Sequence, residues 1–158
     1  MLNTFLADEA ATLTLGAALA QTLEPGLVIW LEGDLGAGKT TLVRGVLRAL
    51  GHAGPVKSPT YTLVEIYELP RLDLHHFDFY RFHDPREWND AGFRESFNGR
   101  IVSLVEWPAK AGPLLPSPDL TIALAVSGEG RSATLHAASG AGERLLDRLR
   151  SQFPFHAS

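Results

Sequence analysis

Gly33-Asp34-Leu35-Gly36-Ala37-Gly38-Lys39-Thr40 matches the pattern G-x-x-x-x-G-K-[ST] at every position. Its flanks fit as well. Leu27-Val28-Ile29-Trp30-Leu31 enters it, a continuous apolar run of strand length bounded by turn residues. Such a run suits a strand buried on both faces of a parallel sheet. Thr40 to Leu50 leaves it, with Leu42, Val43, Val46, Leu47 and Leu50 on one helical stripe and Gly51 at the stop. Strand, glycine turn and helix together predict a phosphate loop. Glycines let successive N–H groups curl around phosphate oxygens, and the helix aims the positive end of its dipole at the same anion. Lys39 is predicted to reach the β and γ phosphates, and the Thr40 hydroxyl to bind Mg2+. A chain of this composition would match by accident on the order of 0.003 times.

The rest of the chain extends this unit. Asp8 to Leu23 reads as a helix with acid in its first turn, Leu13, Ala17 and Ala20 at helical spacing, and Glu24-Pro25-Gly26 as its stop. Thr62 to Leu69 and Leu72 to Tyr80 read as strands, and Asp84 to Phe97 contains a predicted helix. Ile101 to Val105 is a second buried-strand run. The prolines at 108, 113, 116 and 118 predict a loop. Leu120 to Val126 and Ala133 to Ala137 predict a hairpin, and Glu143 to Phe153 a terminal helix. Strands alternating with helices predict an α/β fold. Its expected form is the three-layer sandwich of P-loop NTPases, with a mainly parallel sheet and antiparallel strands added at the C-terminal edge.

Composition bounds the function. The 158 residues suit one domain over 1–158, with little room for a second. Apolar residues at 45% suffice for a core, yet no run reaches the roughly 18–20 residues needed to span a bilayer. The chain has no cysteine, which excludes disulfides and thiolate chemistry and fits a reducing cytosol. With no secretory signal visible, a cytoplasmic location away from membranes is expected. A net charge of -4 argues against a broad nucleic-acid surface.

A P-loop enzyme also needs a second metal anchor and a group to orient the attacking water. Glu106, at the end of the Ile101 to Val105 run, is the favoured anchor, as a carboxylate presented beside the P-loop strand. Asp78 is favoured for water positioning or support of the anchor; a strand-end ion pair with Arg81 is the alternative. Thr60, in Ser58-Pro59-Thr60-Tyr61-Thr62, is the candidate sensor of γ-phosphate and Mg2+, against an ordinary Ser-Pro turn. His75 and His76 point to opposite faces of a strand, cannot easily share an ion, and read as structural. Trp107 is either a core or rim aromatic or a neighbour of the nucleotide. Arg131, at the hairpin tip, is expected in solvent.

These parts resemble one family in order and spacing. The stretch from Leu31 through Thr41, then Val56 to Val64, then His76-Phe77-Asp78-Phe79-Tyr80-Arg81, then Val105-Glu106-Trp107-Pro108, is similar to the TsaE (YjeE) proteins of tRNA threonylcarbamoyladenosine biosynthesis. The resemblance covers nearly the whole chain, including Asp8 to Thr12 and Glu129-Gly130-Arg131. It implies an ATP- and Mg2+-binding protein that hydrolyses ATP weakly alone and works with TsaB and TsaD. Their shared product is threonylcarbamoylated adenosine 37 in tRNAs that read ANN codons. TsaD then carries the transfer chemistry, the ATPase resets the complex between turnovers, and tRNA is met only through the complex. The matching positions imply Lys39 on phosphates, with Gly33, Asp34, Leu35, Gly36, Ala37, Gly38, Thr40 and Thr41 forming the cradle. They imply Thr40 and Glu106 on Mg2+, and Asp78 as essential. They put Thr60 in a switch loop, Trp107 near the site and the segment around Asp8 over the adenine. The competing reading is a P-loop kinase of a small molecule or nucleoside. It would need an arginine-bearing lid, for which only Arg81, Arg86 and Arg94 offer themselves. A nucleotide-binding scaffold without turnover is a third reading.

Overall fold

A computed structural model describes residues 1–84 and 97–157, the last two by backbone alone. The helix expected between Asp84 and Phe97, with Arg86 and Arg94, lies outside the described residues. In chain order the elements are β1 (Leu2–Leu6), α1 (Glu9–Ala20), β2 (Val28–Glu32), α2 (Lys39–Ala49), β3 (Val64–Glu68) and β4 (Asp73–Asp78). There follow β5 (Ile101–Glu106), α3 (Pro108–Ala111), a 3-10 turn (Gly112–Leu114), β6 (Leu120–Ser127), β7 (Gly130–Ala137), α4 (Gly140–Arg150) and β8 (His156–Ala157).

The strands form one sheet in the order β3-β4-β5-β2-β6-β7-β1-β8. Its centre, β4-β5-β2-β6, is parallel. The antiparallel hairpin expected at the C-terminal edge is present as β6 and β7. It is extended by β1 and β8, and β3 caps the opposite edge, also antiparallel. Strand β1 is an element that the sequence pattern does not predict. Its partner is β7, with Leu2 opposite Leu135, so nothing local announces it beyond the period-two series Leu2, Thr4, Leu6.

The alternation of each strand separates two cores. Ile29 and Leu31, Leu74, Val102 and Leu104 face a large aliphatic core shared with α1, α2 and α4. Phe77 and Val105 face a smaller aromatic core with Phe79 and Phe82, against which Trp30 packs. That second face is covered by α3 and the 3-10 turn, through Ala111 and Leu114, and by Leu115 just beyond the turn. The proline-rich stretch is thus partly helical rather than a plain loop, because Pro108 stands at the first helical position, where its missing N–H costs nothing.

Helices α1 and α2 pack against each other, and their closeness explains two glycines. A Cβ on Gly16 would lie 2.5 Å from the Leu42 carbonyl oxygen, and one on Gly45 would lie 2.5 Å from that of Leu13. The buried stripe of α1 runs through Thr12, Leu15, Gly16 and Leu19, beside rather than along the expected Leu13–Ala17 line. Asp8 caps α1 by accepting from the Ala11 N–H at 2.9 Å. Helix α4 begins at Gly140, three residues earlier than expected, because Ser139 caps it from the Gly142 N–H at 3.1 Å. Among the described residues no helix is long and apolar enough to cross a membrane.

Candidate nucleotide site

The central strands are parallel, so β2, β4 and β5 end at the same edge, where the loop into α2 begins. A cleft of about 360 Å³ opens there. Its floor is the start of α2, with Lys39, Thr40 and Thr41 lining it, together with Leu35, Gly36 and Gly38 of the loop. Gly33, Gly36 and Gly38 have φ of 145°, 81° and 103°, in the region where side chains are strained. Gly33 is also crowded: a Cβ there would strike the Leu124 carbonyl. Ala37 is buried beneath the loop, and Gly33 and Asp34 line a smaller cavity of about 250 Å³ on the far side of Trp107.

The register of β4 and β5 sets the two carboxylates side by side, since Asp78 pairs with Glu106. Both line the cleft and are nearly fully buried, at 5% and 4% exposure. On the other side of β5, β2 lies parallel with Leu31 opposite Glu106, so Glu106 sits on the strand next to the P-loop strand. Lys39 is buried among these groups. Its Nζ donates to the Gly33 carbonyl, stands 3.9 Å from Glu106 Oε1, and lies 4.2 Å from the centre of the Trp107 ring. Trp107 reaches that position through a left-handed backbone, φ 54°, uncommon for a residue other than glycine. It therefore adjoins the cleft, one of the two placements open from sequence.

Burial dominates the electrostatics here. It pulls the Lys39 pKa below its usual value, against the pull of Glu106, Asp78 and Asp34. Burial likewise raises the Asp78 pKa, helped by the Glu106 charge. The Tyr80 N–H, donating to Asp78 Oδ1 at 2.9 Å, opposes that rise, as do His76 and Thr60. Thr60 lines the cleft, its hydroxyl 3.4 Å from Asp78 Oδ2 and 2.7 Å from the Ser58 hydroxyl. Among the described residues Asp78 makes no ion pair with Arg81, which instead stacks on Tyr61 at 4.5 Å.

Two residues stand differently from the sequence reading. Arg131 does not lie free in solvent: its Nη2 donates to the Gly36 carbonyl at 3.1 Å and it lines the cleft wall. The hairpin carries it there because β6 is the neighbour of β2, a fact of sheet order that residue pattern does not reveal. His75 and His76 do face opposite ways, yet His76 touches the site, with Nε2 2.5 Å from Glu106 Oε2. The far end of the cleft is lined by Leu6, Asp8 and Thr12, around the start of α1.

The oxygen donors present suit a hard cation. Thr40 offers a hydroxyl, and Asp78 and Glu106 offer carboxylates, all on the cleft. Among the described residues no three His, Cys, Asp or Glu side chains gather closely enough to cage an ion. That set fits Mg2+, which commonly takes one or two protein ligands and completes its shell with phosphates and water.

The family model described as "Threonylcarbamoyl adenosine biosynthesis protein TsaE" matches residues 6–133. This chain belongs to the TsaE family. The tRNA threonylcarbamoyladenosine biosynthesis protein TsaE of Haemophilus influenzae is 39% identical over 150 residues, covering 92% of this chain and 95% of that protein. Its counterpart in Bacillus subtilis is 40% identical over 143 residues, covering 90% and 87%. The crystal structure of Bacillus subtilis YdiB superposes with a TM-score of 0.82 at 31% identity, covering 96% of this chain and 97% of that one. The TsaE match spans every cleft residue named above.

Proposed function

We propose that this TsaE-family chain is a single-domain, Mg2+-dependent ATPase of the cytoplasm. It acts in threonylcarbamoylation of adenosine 37 in tRNAs that read ANN codons. It works as a nucleotide-driven switch on TsaB and TsaD homologues and meets tRNA only through them. The observation that carries the reading is the meeting of a full P-loop with the register-paired Asp78 and Glu106 in one cleft.

The residues divide the work as follows. The N–H groups from Gly33 to Thr41 cradle the phosphates, with the start of α2 supplying its positive dipole end. Lys39 leaves the Gly33 carbonyl and pairs with β- and γ-phosphate oxygens. Thr40 and Glu106 would hold Mg2+, which when bound neutralises charge developing on the phosphates. Asp78 orients the attacking water, and Thr60, hydrogen-bonded to Asp78, links the loop at 58–62 to the γ-phosphate. Leu6, Asp8 and Thr12 border the adenine end. Weak activity alone is expected, because the chain supplies a switch whose closing depends on its partners.

The test is the rate of ATP hydrolysis with and without TsaB and TsaD. Stimulation by the pair is expected. Rapid phosphorylation of a small acceptor, unaffected by TsaB and TsaD, would replace this reading with a kinase.

A further inference from the structure

Glu106 is the carboxylate that the proposed function gives to Mg2+, and its two oxygens have different surroundings. Oε1 faces Lys39 at 3.9 Å. Oε2 is held by His76 Nε2 at 2.5 Å, beneath the cleft. His76 is completely buried, and its other nitrogen, Nδ1, has no hydrogen-bond partner among the described residues. A proton on Nδ1 would be stranded, so the arrangement favours the tautomer in which Nε2–H donates to Glu106.

This pair is a poor device for stability. Burying a polar ring and a carboxylate costs solvation that their mutual bond only partly offsets, and one ring nitrogen stays unmatched. What the pair does supply is direction. Two residues apart on neighbouring strands, His76 and Glu106 lie on one face, with His76 opposite Leu104 in the register that sets Asp78 against Glu106. The bond leaves Glu106 one free oxygen, aimed at Lys39 and the cleft. Carboxylates that bind metals are commonly fixed in this way by an outer hydrogen bond.

We propose that His76 is a positioning residue for Mg2+ binding: its Nε2–H fixes the Glu106 carboxylate so that a single oxygen faces the cleft. The proposal rests on the assignment of Glu106 as a metal ligand. Without the bond, Glu106 can turn both oxygens toward Lys39, which strengthens a self-contained ion pair at the expense of the cation.

Calorimetric titration with ADP, in Mg2+ and again in excess EDTA, measures how much the metal strengthens nucleotide binding. His76→Gln keeps a donor near the Nε2 position, whereas the shorter His76→Asn keeps a buried amide that cannot reach Glu106. The wild type and His76→Gln should show the same metal enhancement within about 3-fold. His76→Asn should lose about 10-fold of it, the usual cost of an outer partner. Equal enhancement in His76→Gln and His76→Asn would overturn the positioning role. Glu106→Gln separates the role of His76 from that of Glu106. If it loses the enhancement while both His76 variants keep it, only the role of His76 falls. If it keeps the enhancement, Glu106 is not the ligand and both readings fall.

Discussion

Helix α2 is buried at both its start and its middle, but for different reasons. In its first turn the buried side chain is Lys39, a charge held by the Gly33 carbonyl, Glu106 and the Trp107 ring. Two turns on, the buried group is no side chain at all: Gly45 lets the backbone of α1 approach, with Val46 and Leu47 filling the core beside it. One end is constrained by chemistry and opposes its own burial; the other is constrained by volume and holds the fold together. Substitutions at the two ends should therefore fail in opposite ways.

The largest expected effect is at the first turn. Lys39→Met removes a charge whose pKa is lowered by burial. A Lys with a depressed pKa binds its proton less well folded than unfolded, so at neutral pH it costs stability. Lys39→Met should keep or raise the thermal midpoint while nucleotide affinity falls at least about 100-fold, since two charged hydrogen bonds are worth about 3 kcal/mol or more. A variant that melts early and binds normally would invert the comparison. Gly45→Val should do what that inversion describes. Its new Cβ meets the Leu13 carbonyl oxygen, so the cost is about 3 kcal/mol in denaturant unfolding, with nucleotide affinity of the folded protein within about 2-fold.

Asp78 sharpens the contrast through pH. Its pKa is raised, mainly by burial, so the folded state takes up this proton more readily than the unfolded chain. The stability penalty of its charge is present at neutral pH and is relieved as pH falls through the raised value. Asp78→Asn should thus melt at or above the wild-type midpoint at pH 7, with the gap closing on acidification. Partner-stimulated hydrolysis by Asp78→Asn should be lost. In the wild type, hydrolysis should fail on the acid side at a pH above the ordinary Asp value of about 3.9. The smallest effect belongs to Arg131→Ala. It removes the intramolecular hydrogen bond to Gly36 at the half-exposed wall, so the unfolding free energy should fall by about 1 kcal/mol and the KM for ATP should rise by no more than about 5-fold.

The contrast also explains what could be read from residues alone. The P-loop was legible because phosphate chemistry demands its glycines, lysine and threonine at fixed spacing, between a strand and a helix that local pattern also reveals. Gly45 was legible only as a small residue in a helix. Its meaning needs α1 in place, and the stripe of α1 itself was read one position aside because its Ala-rich sequence is apolar on nearly every face. Strand β1 escaped because its hydrogen bonds go to β7, more than a hundred residues away. His76 and Arg131 escaped for the same cause. Alternation told that His76 opposes His75, but the register of β4 on β5 decided that Glu106 would receive it.

The proposed function requires that the cleft at the start of α2 bind ATP. Titrating ATP with Mg2+ into the wild-type chain, followed by both heat and thermal midpoint, tests it most directly. One nucleotide per chain should bind, with a midpoint that climbs as ATP increases. Absence of binding heat with an unmoved midpoint, or equal affinity in Lys39→Met, would contradict it.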